Sequence, residues 1–208
     1  MLKSLVAAAA LSAVAIGAQA SVDGGLAANQ SPSSFIALST ANVTGGALYS
    51  GNAIPAAAIP TNTAPSKNTV GTWLAAGPSN TNNGGGDATF TLAGGGSSFV
   101  SFLWGSPDTY NTLTVFSTSG SYIFTSATPS LAGVVFTGNQ DFASYVGFST
   151  NTAGELITKL TFSSTQTNAF EASNFSTTTP AIPEPETYAL LLAGLGVVGF
   201  MARRRKSI

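Results

Sequence analysis

Between residues 98 and 175 the apolar residues recur at alternate positions, in short runs cut off by turn residues. In Ser98–Trp104 this puts Val100, Phe102 and Trp104 on one face; in Tyr110–Phe116 Leu113 and Val115 oppose Thr114 and Phe116. Ser121–Thr125, Gly133–Thr137 and Phe142–Phe148 repeat the pattern, the last with Phe142, Val146 and Phe148 on one side. Glu155–Phe162 places Leu156, Leu160 and Phe162 inward and Lys159 and Thr161 outward, and Ala169–Phe175 closes the series. A period of two over four to eight residues is that of half-buried strands. Turn signals at Gly105-Ser106-Pro107-Asp108, Ser119-Gly120, Gly138-Asn139 and Asn151–Gly154 separate the runs at the spacing of an all-β domain. The expected fold is all-β, a single β-sandwich of jelly-roll type, with twelve of the chain's thirteen Phe to fill the space between its sheets. Phe35–Ser39, Val43–Tyr49, Val70–Leu74 and Ala88–Leu92 are further candidate strands, while Pro55, Pro60 and Pro65 mark Ala53–Ser66 as a loop.

The two ends differ from this pattern. Met1–Ala20 has one early cation, Lys3, an apolar stretch from Leu5 to Ile16, then Ala18-Gln19-Ala20. This is the layout of a secretory signal peptide, with the small residues Ala18 and Ala20 setting a signal peptidase cut after Ala20. The expected organisation is then an ectodomain over 21–172, a Ser/Thr-rich linker over 173–181 and a sorting segment over 182–208.

That last segment holds Pro183-Glu184-Pro185, an uncharged apolar run over Tyr188–Ala202, and the cations Arg203, Arg204, Arg205 and Lys206. As a helix the apolar run rises about 22 Å at ~1.5 Å per residue, short of the roughly 30 Å hydrocarbon core. The four cations hold their end cytoplasmic and leave everything upstream outside. Pro183 and Pro185 keep the preceding stretch extended, a form a processing enzyme can grip. The three-part arrangement closely resembles the PEP-CTERM tail of bacterial surface proteins. The resemblance implies export, transient anchoring in the inner membrane of a Gram-negative cell and processing by exosortase, a membrane-embedded transpeptidase-like enzyme. Phe99–Phe116, especially from Phe102 on, is similar to a segment of β-rich exosortase-dependent surface proteins, and the runs Ile157–Phe162 and Ala169–Phe175 resemble their closing strands, with Ser173 standing where they often carry Asp.

Composition excludes several chemistries. With no Cys and no His, the chain has no disulfides, thiol nucleophiles, thiolate metal sites or imidazole bases. Apart from the cations of the signal peptide and the basic tail, only Lys67 and Lys159 oppose the eight carboxylates, which argues against nucleic acid as a partner. Gly84–Gly86 and Gly94–Gly96 lack the Gly-Lys-Ser/Thr of a phosphate loop and read as plain turns. Asn139–Asp141 and Asn82–Asp87 offer oxygens to a structural Ca²⁺ without the dense acidic spacing of a calcium loop, so no cofactor is expected.

Two candidate sites remain. Asp108, Asp141, Glu155 and Glu171 are the carboxylates from which a glycosidase pair would be drawn, though any folded domain carries a few. Trp104, Asp108, Tyr110 and Asn111 combine aromatic faces with an amide and a carboxylate, as sugar contacts do. Against this, Trp104 is in register with Val100 and Phe102, which places it in the core. Asn29, Asn42 and Asn174 stand in N-glycosylation acceptor patterns that an Asn/Ser/Thr-rich chain also reaches by chance. The expected function is a structural or adhesive, non-enzymatic surface or matrix protein with an extracellular polysaccharide partner. The alternatives are a carbohydrate-binding module and a hydrolase with paired carboxylates.

Overall fold

The computed structural model describes residues 22–50, 68–78, 85–139, 141–166, 170–179 and 193–195. Ten strands follow in order: β1 (Val22–Leu26), β2 (Val43–Ser50), β3 (Thr72–Ala76), β4 (Gly85–Thr91), β5 (Phe99–Gly105), β6 (Asn111–Ser117), β7 (Ser121–Phe124), β8 (Ala143–Thr150), β9 (Ile157–Ser164) and β10 (Phe170–Ser176). The signal-peptide region, the Pro183–Pro185 motif and the basic tail lie outside the described residues; of the apolar run only 193–195 are described, as an exposed helical turn. No helix among the described residues is long and apolar enough to cross a membrane.

The expected all-β chain is what forms, but the strands do not divide into separate sheets. Antiparallel ladders run through all ten in the order β1-β8-β5-β10-β3-β2-β4-β9-β6-β7, one sheet folded over until it nearly closes like a barrel. The fold-over occurs within β2. Val43–Gly46 pair with β4, and Ala47–Ser50 pair with β3. The ladder to β4 slips its register between Gly45 and Gly46, whose φ values are 73° and 58°. A Cβ on Gly45 would sit 2.1 Å from the Asp87 carbonyl oxygen, and one on Gly46 2.6 Å from that of Ala75. Only glycine permits both the left-handed backbone and this approach, so the corner is written into that pair. The open seam lies between the edge strands β1 and β7. There the rings of Phe124 and Phe148 pack over Gly24, where a Cβ would meet them at 2.8 and 2.5 Å.

Inside, Val100, Phe102, Trp104, Val146 and Phe148 from one half meet Phe90, Leu113, Val115, Leu160 and Phe162 from the other in one apolar cluster. Phe102 is its centre, stacked on Phe148 and Phe175 and edge-on to Phe162. Burying such rings at about 25 cal/mol per Å² of apolar surface is the main favourable term in a chain without disulfides.

Five expectations are corrected. Gly133–Thr137 is turn, with Val134 N–H donating to Leu131 O, and Phe35–Ser39 is coil, held to β10 by Ile36 N–H donating to Phe175 O. In β9 Ile157 takes the inward place expected for Leu156, because the β6 ladder shifts register between Phe116 and Ser117. Phe142 is 46 % exposed, since β8 begins only at Ala143. Ser173–Ser176 belong to β10, so the linker starts at Thr177. The strand that alternation missed is β1, whose Val22-Asp23-Gly24-Gly25-Leu26 reads as a turn until Gly24 is seen beneath two rings.

Candidate functional site

The β5–β6 connection gathers the residues expected to touch a sugar, and packing decides against that role. Trp104 is fully buried, stacked on Phe170 with centroids 4.3 Å apart and closed at its edge by Phe136. It offers no face to a ligand. Asn111 is fully buried at the start of β6, its amide atoms without partners, and Asp108 is 9 % exposed with its carboxylate against Gly138. Tyr110 is half-buried between them.

Of the four candidate carboxylates, Asp108 and Glu171 come together. Glu171, at the start of β10, accepts a hydrogen bond from Ser106 Oγ, and burial, aided by the Asp108 charge and opposed by that bond, raises its carboxyl well above the usual range. Ser106 is one of three non-glycine residues with positive φ among the described residues, at 35°. Glu155 is buried elsewhere, accepting from Ser117 Oγ at 2.5 Å and Tyr122 Oη at 3.4 Å, while Asp141 is exposed. Both members of the only close pair are thus packed into the fold. Among the described residues no group of three acidic side chains could hold a metal ion. Asn174 Nδ2 is used up by Asn68 O and Tyr145 Oη, each at 2.8 Å, so its acceptor pattern is closed in the folded chain.

A broad, partly exposed feature lies on the outer face of β4, β9 and β6. Registry aligns Thr44, Thr89, Thr161 and Thr114 in one row across four strands, ending at Ile123 of β7, which is 67 % exposed. Beside it Thr112 pairs with Ser163, and on the other side Thr91, Lys159, Phe116 and Ser121 form a third row. The Thr89 and Thr161 hydroxyls bond at 3.0 Å, and the Lys159 ammonium lies 4.3 Å from the centre of the Phe116 ring. In sequence these residues are visible only as separate triplets, Thr89-Phe90-Thr91, Thr112-Leu113-Thr114 and Thr161-Phe162-Ser163, each straddling a core residue. Their alignment depends on which strands become neighbours, which no single triplet specifies.

After β10, only Thr177, Thr178, Thr179 and Pro180 intervene before the C-terminal segment. Residues 181–206 match the PEP-CTERM protein-sorting motif. The chain carries a PEP-CTERM tail. This covers Pro183, Glu184, Pro185, the apolar run and the cations Arg203–Lys206, and it marks an exported protein sorted by exosortase to the cell envelope or surface. No curated protein and no solved structure matches the chain. The PEP-CTERM tail is joined to a central strand: β10 is bonded to β5 on one side and β3 on the other.

Proposed function

We propose that this PEP-CTERM protein has a structural or adhesive, non-catalytic role at the cell surface or in the extracellular polysaccharide matrix. In this reading signal peptidase frees the N-terminus after Ala20, the apolar run holds the chain at the inner membrane, and exosortase then processes the tail near Pro183–Pro185. The observation that carries it is the PEP-CTERM match, joined through a short connection to a doubly paired strand. A pull on that tail acts along β10 and must shear two antiparallel ladders together, a geometry suited to bearing load. Burial of Asp108 and Glu171 favours the structural role over the hydrolase.

The test is the intact mass of the protein recovered from the native host's envelope and matrix. The expected species begins at Ser21 and ends near Glu184–Thr187, with any added anchor or glycan mass visible. Replacing Pro183-Glu184-Pro185 with alanines is expected to leave the full tail in place. A wild-type species that retains Arg203–Ile208 overturns the sorting step.

A further inference from the structure

We infer that the threonine face of β4, β9 and β6 is a docking surface for an uncharged polysaccharide. The inference rests on the matrix role proposed above and gives it a surface and a chemical class of partner. Neighbouring strands lie about 4.8 Å apart and same-face residues about 6.8 Å apart along a strand, so the sheet sets the hydroxyls out on a regular grid. Each Thr carries a hydroxyl and a methyl group; Thr89 and Thr161, bonded to each other, keep one free donor between them together with acceptor lone pairs. A glycan ring matches this with hydroxyls and apolar C–H faces, and a polymer repeats the match along the row from Thr44 to Thr114.

Charge selects among partners. Among the described residues the face has one cation, Lys159, already seated over Phe116, and one carboxylate, Asp87, two residues before Thr89. An acidic polymer needs a cluster of Lys and Arg that is not there, and nucleic acid fails for the same reason. A protein partner is anchored by exposed Trp, Tyr or Arg, and the three rows contain none. A neutral, hydroxyl-rich chain is the occupant whose chemistry the rows match. The triplets also explain how the surface arises without weakening the domain. The residue between each pair of hydroxyls, Phe90, Leu113 or Phe162, is fully buried in the core.

The experiment compares wild type with a Thr89→Val, Thr161→Val protein, both produced in the native host and recovered as processed protein. Valine keeps the shape and the strand preference and removes the hydroxyls. Binding is measured against two probes, the neutral and the acidic fractions of the host's extracted polysaccharide separated by anion exchange. The expected result is retention of wild type on the neutral fraction only, and binding about tenfold weaker for the double variant. Near-UV circular dichroism of the buried Trp residues checks the fold; Thr114→Glu, which puts a charge in the middle of the row, serves if the double variant does not fold. The docking surface is overturned if wild type ignores the neutral fraction, if the variants bind as well as wild type, or if wild type is a dimer that the variants dissociate. An unprocessed mass in the same preparations overturns the sorting reading instead, so the two failures are told apart.

Discussion

The two halves of the folded sheet share one core but turn opposite kinds of outer face to their surroundings. On β4, β9 and β6 the outward residues are half-buried or exposed, mostly threonines and serines with Asp87, Lys159 and Phe116 among them. On β5, β10 and β3 the outward Ser101, Leu103, Ser173 and Trp73 are each at most 1 % exposed, and Glu171 is 2 % exposed. Trp73 and Ala75 form a second apolar cluster there with Tyr49, whose ring lies 4.7 Å from that of Trp73. Asn68–Val70 cross this face and are pinned to it: Val70 N–H donates to Asn174 Oδ1 at 2.8 Å, Thr69 and Ser173 hydroxyls meet at 3.2 Å, and Asn174 Nδ2 donates to Asn68 O. One face thus contributes to stability, and the other is left available. The strand that bears the sorting tail runs through the covered half.

The largest expected effect follows from that asymmetry. Trp73→Ala removes a buried ring outside the main core and is expected to cost about 3–5 kcal/mol in chemical denaturation. The Thr89→Val, Thr161→Val protein should stay within roughly 0.5 kcal/mol of wild type per site, as surface substitutions do. Equal losses on the two faces would erase the distinction.

Next in size is Asn174, which holds φ 54° within β10 while bonding to Val70, Asn68 and Tyr145. Asn174→Ala loses three bonds and places a Cβ residue in the left-handed region without them, an expected loss of about 1–3 kcal/mol. Asn174→Gly relieves the backbone part only, so it should fall between Ala and wild type. A Gly variant as stable as wild type would show that the crossing of Asn68–Val70 is not held by this side chain.

The last expected effect is a pH dependence of stability that arises in the covered half. Glu171 ionises less readily when folded, because burial and the neighbouring Asp108 raise its carboxyl. The unfolded chain releases the proton at the ordinary carboxylate value, so folding stability is greatest below that value. It declines as pH rises through the interval up to the raised value in the folded protein. Glu171→Gln keeps an acceptor for Ser106 Oγ and is expected to flatten this decline in denaturation curves taken at a series of pH values. A decline that persists unchanged in the variant would assign it to another group.

Much of the fold is legible in local pattern. The runs around Phe102, Leu113, Val146 and Leu160 alternate as strands do, and their expected inward residues, Phe142 and Leu156 apart, are those found in the core. The errors fall where a neighbour overrides the pattern. Leu156 loses its place to Ile157 through a bulge defined by β6, and Gly24 becomes part of a strand because rings from β7 and β8 need the room. At the site, pattern and packing agree on Trp104. Its type suits a sugar contact, but its alternation with Val100 and Phe102 already places it in the core, where it stacks on Phe170.

By itself the sequence determined the all-β character, the inward residues of most strands, the missing thiol and imidazole chemistry, and the sorting tail. These depend on period, composition and a contiguous motif, which need no partner segment to be read. The tertiary structure alone decided that one sheet folds over at Gly45-Gly46, that one outer face is covered and the other open, and that Asp108 meets Glu171. It also brought threonines from four distant strands into a single row. Such features depend on strand order and register, and these are set by long-range pairing and packing against the whole core.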